Sequence, residues 1–435
     1  MSFSRYFILL LALLAFSAGA NAQLVSRGPW SGAVTAYSAE VNLVLFESRL
    51  TTLEVSSDRD FVRKLTFPEE PRRKSDLPLL TRYRLKRLEP NTTYYYRVVA
   101  GRDRERQRVG QLRTGPIPGQ AASFRFIVAG GAATGSEAGA FSEIRYQAPL
   151  FFVQLGNLHN ASINANDARV FAETYHRVLD SFTHVELLQR VPAVYTWDRF
   201  DYGQGADRES PNAFPAHLTY RHYIPHYPLP ADSAPELADD LIGEKPITQA
   251  FTVGRVRFIV LDTRTQRTPV NTPEGPEKSM LGKWQREWLE NELVRAQSNH
   301  VLTFILTSVP WHASGTPYAD DWSRYTHERN EIAQWISDQG LRNIAFISAN
   351  GGTLSAVTGT AAPDQLPEFQ VGEIDLHFNH VEGPWDVGPL FREETEEFFG
   401  VFDIDDNRSS IKVTFIGMNQ NGSERLRTVL EFSVN

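Results

Sequence analysis

Short apolar runs alternate with stretches of helical periodicity between residues 124 and 347. An apolar run without polar interruption is typical of a strand that is buried on both faces, and a helix after it covers one of those faces. The pattern therefore predicts an α/β domain whose sheet is covered on both sides. The predicted strands are 124–128, 149–155, 257–261, 301–306 and 343–347, and the predicted helices are 165–181, 281–297 and 326–339.

The segment before this region has a different pattern. Residues 24–114 show period-two alternation, β-branched and aromatic residues, and turn signals, which together predict an all-β module. Residues 88–98 (LEPNTTYYYRV) resemble the late-strand signature of fibronectin type III domains, in which a tyrosine packs at the corner of the β-sandwich. The turn-rich stretch 115–119 marks the boundary. We predict a β-sandwich over 23–115, a linker over 116–121 and the α/β domain over 122–435.

The first 22 residues have the composition of a secretory signal peptide. Arg5 gives a positive start, residues 7–16 (FILLLALLAF) form an apolar run, and Ala20-Asn21-Ala22 fits a cleavage site. The apolar run is shorter than the roughly 20 residues that a bilayer-spanning helix needs. We therefore expect an exported chain, periplasmic or secreted, with no membrane span in the mature form.

Composition and missing motifs remove several classes of function. The 435 residues include 44 Lys and Arg, 52 Asp and Glu, and no Cys, so the formal charge is −8. The acidic excess argues against general nucleic-acid binding, and the absence of Cys removes thiolate chemistry. The sequence contains neither a phosphate-binding P-loop nor the Gly-x-Ser-x-Gly motif of serine hydrolases.

Polar residues follow several of the predicted strands. In open α/β domains, ligands bind beyond the carboxyl ends of the strands, so the loops at these positions are the candidates for a functional site. The loops with polar candidates are Gly156-Asn157-Leu158-His159-Asn160, Asp198-Arg199-Phe200-Asp201 and Ala349-Asn350-Gly351-Gly352.

Other segments resemble the PhoD-like alkaline phosphatases and phosphodiesterases, which are metallophosphoesterases. The resemblance rests on the order and spacing of these segments over nearly all of the chain after residue 22. It implies a β-sandwich followed by a metallophosphoesterase-type α/β sandwich domain that hydrolyses phosphoric esters at a metal site. The segments are 220–230 (YRHYIPHYPLP), 261–264 (LDTR), 280–289 (MLGKWQREWL) and 321–329 (DWSRYTHER).

The metal-site motifs of the family are not matched. Where the family has Gly-Asp, this chain has Gly156-Asn157, and its Gly-Asp-x-His motif is replaced by Ala349-Asn350-Gly351-Gly352. The Asp-Asp-His-Asp/Glu motif has become Asp198-Arg199-Phe200-Asp201. Asn retains the shape of Asp without its charge, and Arg199 places a permanent cation where the family has a carboxylate. The residual metal-ligand candidates are His159, Asp198 and Asp201.

These replacements predict a phosphatase homologue that is catalytically impaired, that needs no metal cofactor, and whose old cleft binds phosphate or another anionic small molecule. The candidates for binding the anion are Arg199, Asn157, Asn350 and Asn160. For each candidate a structural role is the alternative. Arg199 would then pair with Asp198, Asp201 or Asp207, the asparagines would bond to loop backbone, and His159 would be a hydrogen-bonded structural residue.

Two other functions stay open at this point. One is an active phosphomonoesterase or phosphodiesterase that holds one or two Ca, Fe, Zn or Mn ions on the residual ligands. The other is an adhesion or assembly protein in which the β-module makes the contacts. The sequence identifies neither a substrate nor a protein partner.

Overall fold

The computed structural model describes residues 23–71, 77, 80–235, 237, 242–313, 320–377, 381–391 and 396–434. The predicted signal peptide, residues 1–22, lies outside the described residues. Within them, no helix has both the length and the apolar composition that crossing a bilayer requires.

The N-terminal part forms two facing β-sheets, as the alternation predicts. Inward-facing residues of both sheets, such as Val41, Leu53 and Tyr96, form one core that is fully buried. The strands are β1 (Val25–Gly32), β2 (Ser38–Leu45), β3 (Thr52–Ser56), β4 (Leu65–Pro68), β5 (Leu80–Lys86), β6 (Thr93–Ala100), β7 (Asp103–Arg104) and β8 (Gly110–Arg113).

The remaining strands begin where the sequence changes to apolar runs. All five predicted strands of this part are present with shifts of one or two residues at their ends. The strands are β9 (Phe124–Ala129), β10 (Phe151–Leu155), β11 (Ala193–Thr196), β12 (Gln249–Val253), β13 (Val256–Val260), β14 (Leu302–Thr307), β15 (Ile344–Ser348), β16 (Thr353–Val357), β17 (Glu368–Val371), β18 (Val387–Phe391), β19 (Phe398–Asp406), β20 (Ser410–Asn419) and β21 (Glu424–Ser433).

The helices lie between these strands, and the three that were predicted are confirmed. Asp167 caps the helix Ala168–Asp180, because its side chain accepts from the backbone N–H of Arg169. The helices are α1 (Gly139–Tyr146), α2 (Ala168–Asp180), α3 (Phe182–Arg190), α4 (Arg199–Tyr202), α5 (Ala213–Tyr223), α6 (Gly282–Asn299) and α7 (Thr326–Asp338).

Two large sheets stack face to face and helices cover their outer faces. The first sheet has the order β21-β20-β19-β9-β10-β11-β1-β2-β5, and the second β12-β13-β14-β15-β17-β16-β18. Helices α1 and α3 pack on the outer face of the first sheet, and α6 and α7 pack on that of the second. The α/β part is therefore a four-layer sandwich.

Phenylalanine side chains fill the space between the two sheets. The ring of Phe126 stacks on Phe151 and Phe402 of its own sheet, with ring centroids 5.2 and 4.8 Å apart. It also meets Phe258 and Phe304 of the facing sheet edge-on, at 5.2 and 5.7 Å. These contacts hold the two sheets together.

One strand links the β-module to the α/β part. β1 lies beside β11 in the first sheet, and Gly32 and Ala193 are the paired residues. A Cβ on Gly32 would lie 2.6 Å from the carbonyl oxygen of Ala193, so this close approach requires glycine. Strands β1, β2 and β5 therefore belong both to the β-module and to the edge of the large sheet.

Candidate functional site

The candidate loops meet at the carboxyl ends of neighbouring strands. β10 and β11 are parallel and adjacent, so the loops after Leu155 and Thr196 start side by side. Gly156 has φ +77°, and a Cβ there would lie 2.3 Å from the Cβ of Asp198. The following Asn157 also has a left-handed backbone, with φ +49°. The glycine thus allows the two loops to approach closely enough for their side chains to interact.

Asp198 lies at the centre of the site and is buried. Its Oδ1 accepts hydrogen bonds from Nε of Arg264 at 2.7 Å, from Nη2 of the same guanidinium, and from the hydroxyl of Ser308 at 3.2 Å. Its Oδ2 accepts from Nδ2 of Asn157 at 3.1 Å. Burial raises the pKa of Asp198, and the charge of Arg264 opposes that shift. Both carboxylate oxygens are engaged by side chains of this chain.

Arg264 belongs to a buried network of alternating charges. Its Nη1 donates to Oδ2 of Asp320 at 2.9 Å, and Asp320 also accepts from Nη2 of Arg267. Burial raises the pKa of Asp320, but Arg264 and Arg267 outweigh that effect and hold it at about 2. For Arg264, burial lowers the pKa, while Asp198 and Asp320 together raise it above its ordinary value. The network pairs two guanidinium groups with two carboxylates at the base of the site.

Asp201 has a structural role in the turn that carries Asp198. Its Oδ2 accepts from the backbone N–H of Asn157 at 2.5 Å and of Asp198 at 2.9 Å, and its Oδ1 accepts from the N–H of Leu158 at 2.8 Å. Asp198 and Asp201 also form the capping box of the short helix α4. Burial raises the pKa of Asp201 to about 7, against the effect of these backbone bonds.

His159 is fully buried beside Asp201. Its Nε2 lies 3.8 Å from Oδ1 of Asp201, and neither ring nitrogen has a hydrogen-bond partner among the residues that the structure describes. Burial, together with the charge of Arg177, lowers the pKa of His159 to about 3. The ring is therefore neutral at physiological pH and packs edge-on against Tyr175.

The three residual ligand candidates do not fit a metal ion. Asp198 is bonded to a guanidinium, which would repel a dication at the same oxygen atoms, and the carboxylate oxygens of Asp201 accept three backbone N–H groups. His159 alone has unused ligand atoms. Within the described part of the chain, no group of three or more His, Asp or Glu side chains is arranged to hold a metal.

The asparagines hold the loops together. Oδ1 of Asn157 accepts from the N–H of Phe200, and its Nδ2 donates to Asp198. Nδ2 of Asn350 donates to the carbonyls of Leu155 and Ser308 at 2.8 and 2.7 Å, and its Oδ1 accepts from the N–H of Gly131. Bonds of this kind to loop backbone are the structural role that the sequence analysis gives as the alternative to anion binding. They connect both large sheets at this edge.

Asn160 is exposed at the rim of the site. Its Oδ1 accepts from the backbone N–H and the hydroxyl of Thr134, both at 3.0 Å. Asn160 therefore ties the loop after β10 to the loop after β9.

Arg199 lines an open cleft together with Asp320 of the network. It is exposed, and within the described residues its guanidinium forms no ion pair with Asp198, Asp201 or Asp207. The cleft has a volume of about 450 Å³. Its polar lining includes Ser162, Asn164, Arg199, Gln204, Asn271, Asp320 and Arg324.

Sequence reasoning missed Arg264, Arg267 and Asp320 as residues of the site. Arg264 belongs to the segment 261–264 that resembles the family. Because this segment follows β13 at the same edge of the sandwich, it could have indicated that Arg264 lies in the site. Its partner Asp198 is 66 positions away in sequence and follows β11, a strand of the other sheet. Only the tertiary arrangement brings the two together.

The class of protein follows from this architecture. Two stacked sheets between helices, with a polar site at the strands' carboxyl ends, define a metallophosphoesterase-like α/β fold. A solved structure of PhoD superposes with a TM-score of 0.71 at 18% identity, covering 95% of this chain and 92% of that one. Purple acid phosphatase PPD1 from yellow lupin (Lupinus luteus) seeds superposes with a TM-score of 0.60 at 14% identity, covering 93% and 74%.

Sequence similarity relates part of the chain to a family of phosphatases. The family model of PhoD-like phosphatases matches residues 157–370. The chain is 26% identical over 345 residues to alkaline phosphatase D of Bacillus subtilis (strain 168), a match that covers 68% of this chain. It spans only 57% of that enzyme's length. Over residues 157–370, this chain is therefore similar to the PhoD-like phosphatase family.

Proposed function

We propose that this protein is an exported PhoD-like phosphatase homologue that has lost metal-dependent hydrolysis and binds an anionic small molecule in its cleft. The observation that carries the proposal is the bond between Asp198 and Arg264. A dinuclear phosphoesterase needs several carboxylates to offset its cations. Here the buried carboxylate of Asp198, at the centre of the site, is paired with an arginine of the same chain.

The anion site is proposed around Arg199. An exposed guanidinium in a cleft can bind a phosphate through two parallel hydrogen bonds. Arg324 and the amides of Asn164 and Asn271 line the same cleft. Asp320 also lines it, but the cations of Arg264 and Arg267 offset its negative charge. The balance of charge in the cleft therefore favours an anion.

Loss of hydrolysis predicts a protein that is isolated without metal. Elemental analysis of chain purified without chelator is expected to find well under one metal ion per molecule. Hydrolysis of p-nitrophenyl phosphate and of bis-p-nitrophenyl phosphate is expected to stay at the rate of the buffer, with Bacillus subtilis alkaline phosphatase D as the positive control. Near-stoichiometric metal together with turnover that Asp198→Ala abolishes would contradict the proposal.

Anion binding predicts a specific effect of Arg199. Because a hydrogen bond to a charged group contributes about 1.5–3 kcal/mol, Arg199→Ala should weaken phosphate binding by roughly 10- to 150-fold in calorimetric titration. Arg342→Ala, which removes an exposed arginine outside the cleft, is the matched control and should leave the affinity within twofold. Equal affinities of the wild type and Arg199→Ala would exclude Arg199 as the ligand.

An active metal-dependent phosphomonoesterase or phosphodiesterase is the second candidate. The match to the PhoD-like family model and the similarity to an enzyme called alkaline phosphatase D favour it. In that case His159, with its two unused ring nitrogens, would be the first ligand to examine. The metal and turnover measurements separate this candidate from the first.

We also propose that the β-module is of the fibronectin III type. The backbone N–H of Glu89 donates to the hydroxyl of Tyr94 at 2.9 Å, which is the hydrogen bond of a tyrosine corner. This contact lies within the segment that resembles the fibronectin signature. An adhesion or assembly role would use this module.

A further inference from the structure

Basic and acidic residues are divided unevenly between the two parts of the chain. Residues 23–115 contain 18 Lys and Arg against 11 Asp and Glu, a net charge of +7. Residues 116–435 contain 25 against 41, a net charge of −16. The net charge of the whole chain, −8, conceals this separation of charge. A basic module on an acidic body orients a molecule toward an anionic surface.

One end of the β-module brings three segments together. We call the loop 46–50 and the turn 101–106 the basic tip. Nη1 of Arg49 donates to Oδ2 of Asp103 at 3.2 Å and joins the two loops. The start of β1 lies against both, because Leu24 accepts from the N–H of Phe46 at 3.1 Å and donates to Oε2 of Glu105 at 2.8 Å.

Apolar and basic side chains are exposed together at this tip. Leu50 is 85% exposed and Phe46 is 58% exposed. Arg102, Arg104 and Arg106 are exposed on the turn of the same tip, and Nε of Arg104 lies 3.9 Å from Oε1 of Glu54. Peripheral membrane binding has two components: apolar residues that enter the headgroup region, and basic residues that face lipid phosphates. The acidic residues of the tip are Glu47 and Asp103, together with Glu105, which is buried.

We propose that the basic tip docks onto an anionic phospholipid surface. Phe46 and Leu50 enter the headgroup region and the arginines contact lipid phosphates. The exposed apolar side chains of Phe46 and Leu50 favour a bilayer over a nucleic acid, because only a bilayer offers them an apolar phase.

The test is co-sedimentation of residues 23–435 with lipid vesicles. The first 22 residues are omitted because their apolar run would partition by itself. Vesicles of phosphatidylcholine and phosphatidylglycerol at 3:1 should bind the protein, and 0.5 M NaCl should release it, whereas pure phosphatidylcholine should not bind it. Binding that is equal on both vesicles would overturn the proposal.

Three substitutions locate the surface. Each basic residue near an anionic membrane contributes about fivefold to partitioning, so the charge reversal Arg102→Glu should reduce binding by about 25-fold. Leu50→Ser should reduce it severalfold without a change of charge, since it removes apolar area. Glu47→Lys should increase it. No effect of Arg102→Glu and Leu50→Ser on binding would overturn the assignment of the tip.

The matched control lies at the other end of the same module. Arg113 pairs with Thr93 at the start of β6, whereas Asp103 pairs with Ala100 at its end, about 23 Å away. Arg113→Glu makes the same change of charge as Arg102→Glu and should leave vesicle binding within twofold. An equal loss in both variants, or tighter binding to a DNA duplex than to the vesicles, would overturn the lipid assignment. Arg199→Ala should not change vesicle binding, which keeps this test independent of the cleft.

Discussion

Replacing Arg264 by methionine is expected to lower the free energy of unfolding by about 3–5 kcal/mol. Arg264 is 1% exposed, and its guanidinium bonds to both Asp198 and Asp320. Methionine retains most of the side-chain volume, so the loss comes from the charge. Without the guanidinium, Asp198 is a buried carboxylate whose remaining side-chain donors, among the described residues, are the neutral groups of Asn157 and Ser308.

The loss should depend on pH in a defined direction. Burial already raises the pKa of Asp198, and removal of Arg264 raises it further. When the pKa of a carboxyl is higher in the folded state than in the unfolded state, the free energy of unfolding falls as the pH rises above the unfolded-state pKa, which is about 3.9 for Asp. Arg264→Met should therefore be more damaging at pH 8 than at pH 5. Urea denaturation at the two pH values, followed by tryptophan fluorescence, measures the difference.

Two further variants separate charge from packing at this site. Asp198→Asn combined with Arg264→Met leaves no unpaired charge between these two positions and should recover part of the stability that Arg264→Met loses. Arg27→Met is the control, because Arg27 and Asp180 form an ion pair with side chains that are 26% and 53% exposed. Exposed pairs contribute about 0–1 kcal/mol. A loss below 1 kcal/mol for Arg264→Met would mean that the network does not stabilise the site.

Replacing Phe126 by alanine is expected to cost a similar amount, about 3–5 kcal/mol. Phe126 is fully buried and contacts phenylalanine rings of both sheets. Alanine would leave a cavity at the centre of the sandwich that close-packed neighbours from two sheets cannot fill. The measurement is the shift of the urea midpoint at constant slope.

The control for Phe126 uses the same change of side chain at the surface. Phe182 is 68% exposed at the start of α3, so Phe182→Ala should change the free energy of unfolding by less than 1 kcal/mol. Equal losses in the two variants would indicate that the sheets are not held together by this aromatic cluster.

The strands and helices of the α/β part could be predicted from sequence because apolar periodicity is local. The predicted helix 326–339 is observed as Thr326–Asp338, and the predicted strand 343–347 as Ile344–Ser348. The β-module was also predicted, but its link to the large sheet was not. The contact of Gly32 with Ala193 joins strands 161 positions apart, and nothing local in either strand signals it. The predicted boundary at 115–119 stays a prediction.

The site could be predicted only in part for the same reason. The loops and their missing carboxylates were readable, since each motif is a few residues long. The partner of each remaining charge was not readable. Arg199 is next to Asp198 in the chain, but the two side chains diverge at the start of α4, and a guanidinium from the other sheet bonds to Asp198.

The sequence by itself determined the alternation of apolar strands and helices, the segments that resemble the PhoD-like family, and the asparagines at 157 and 350, where that resemblance implies carboxylates. These properties depend on residues that are close in the chain. Only the tertiary structure decided that Arg264 neutralises Asp198, that Arg199 faces an open cleft, and that Phe46, Leu50 and Arg102 meet at one tip. Each of these depends on which strands and loops become neighbours, because burial and charge pairing act through space rather than along the chain.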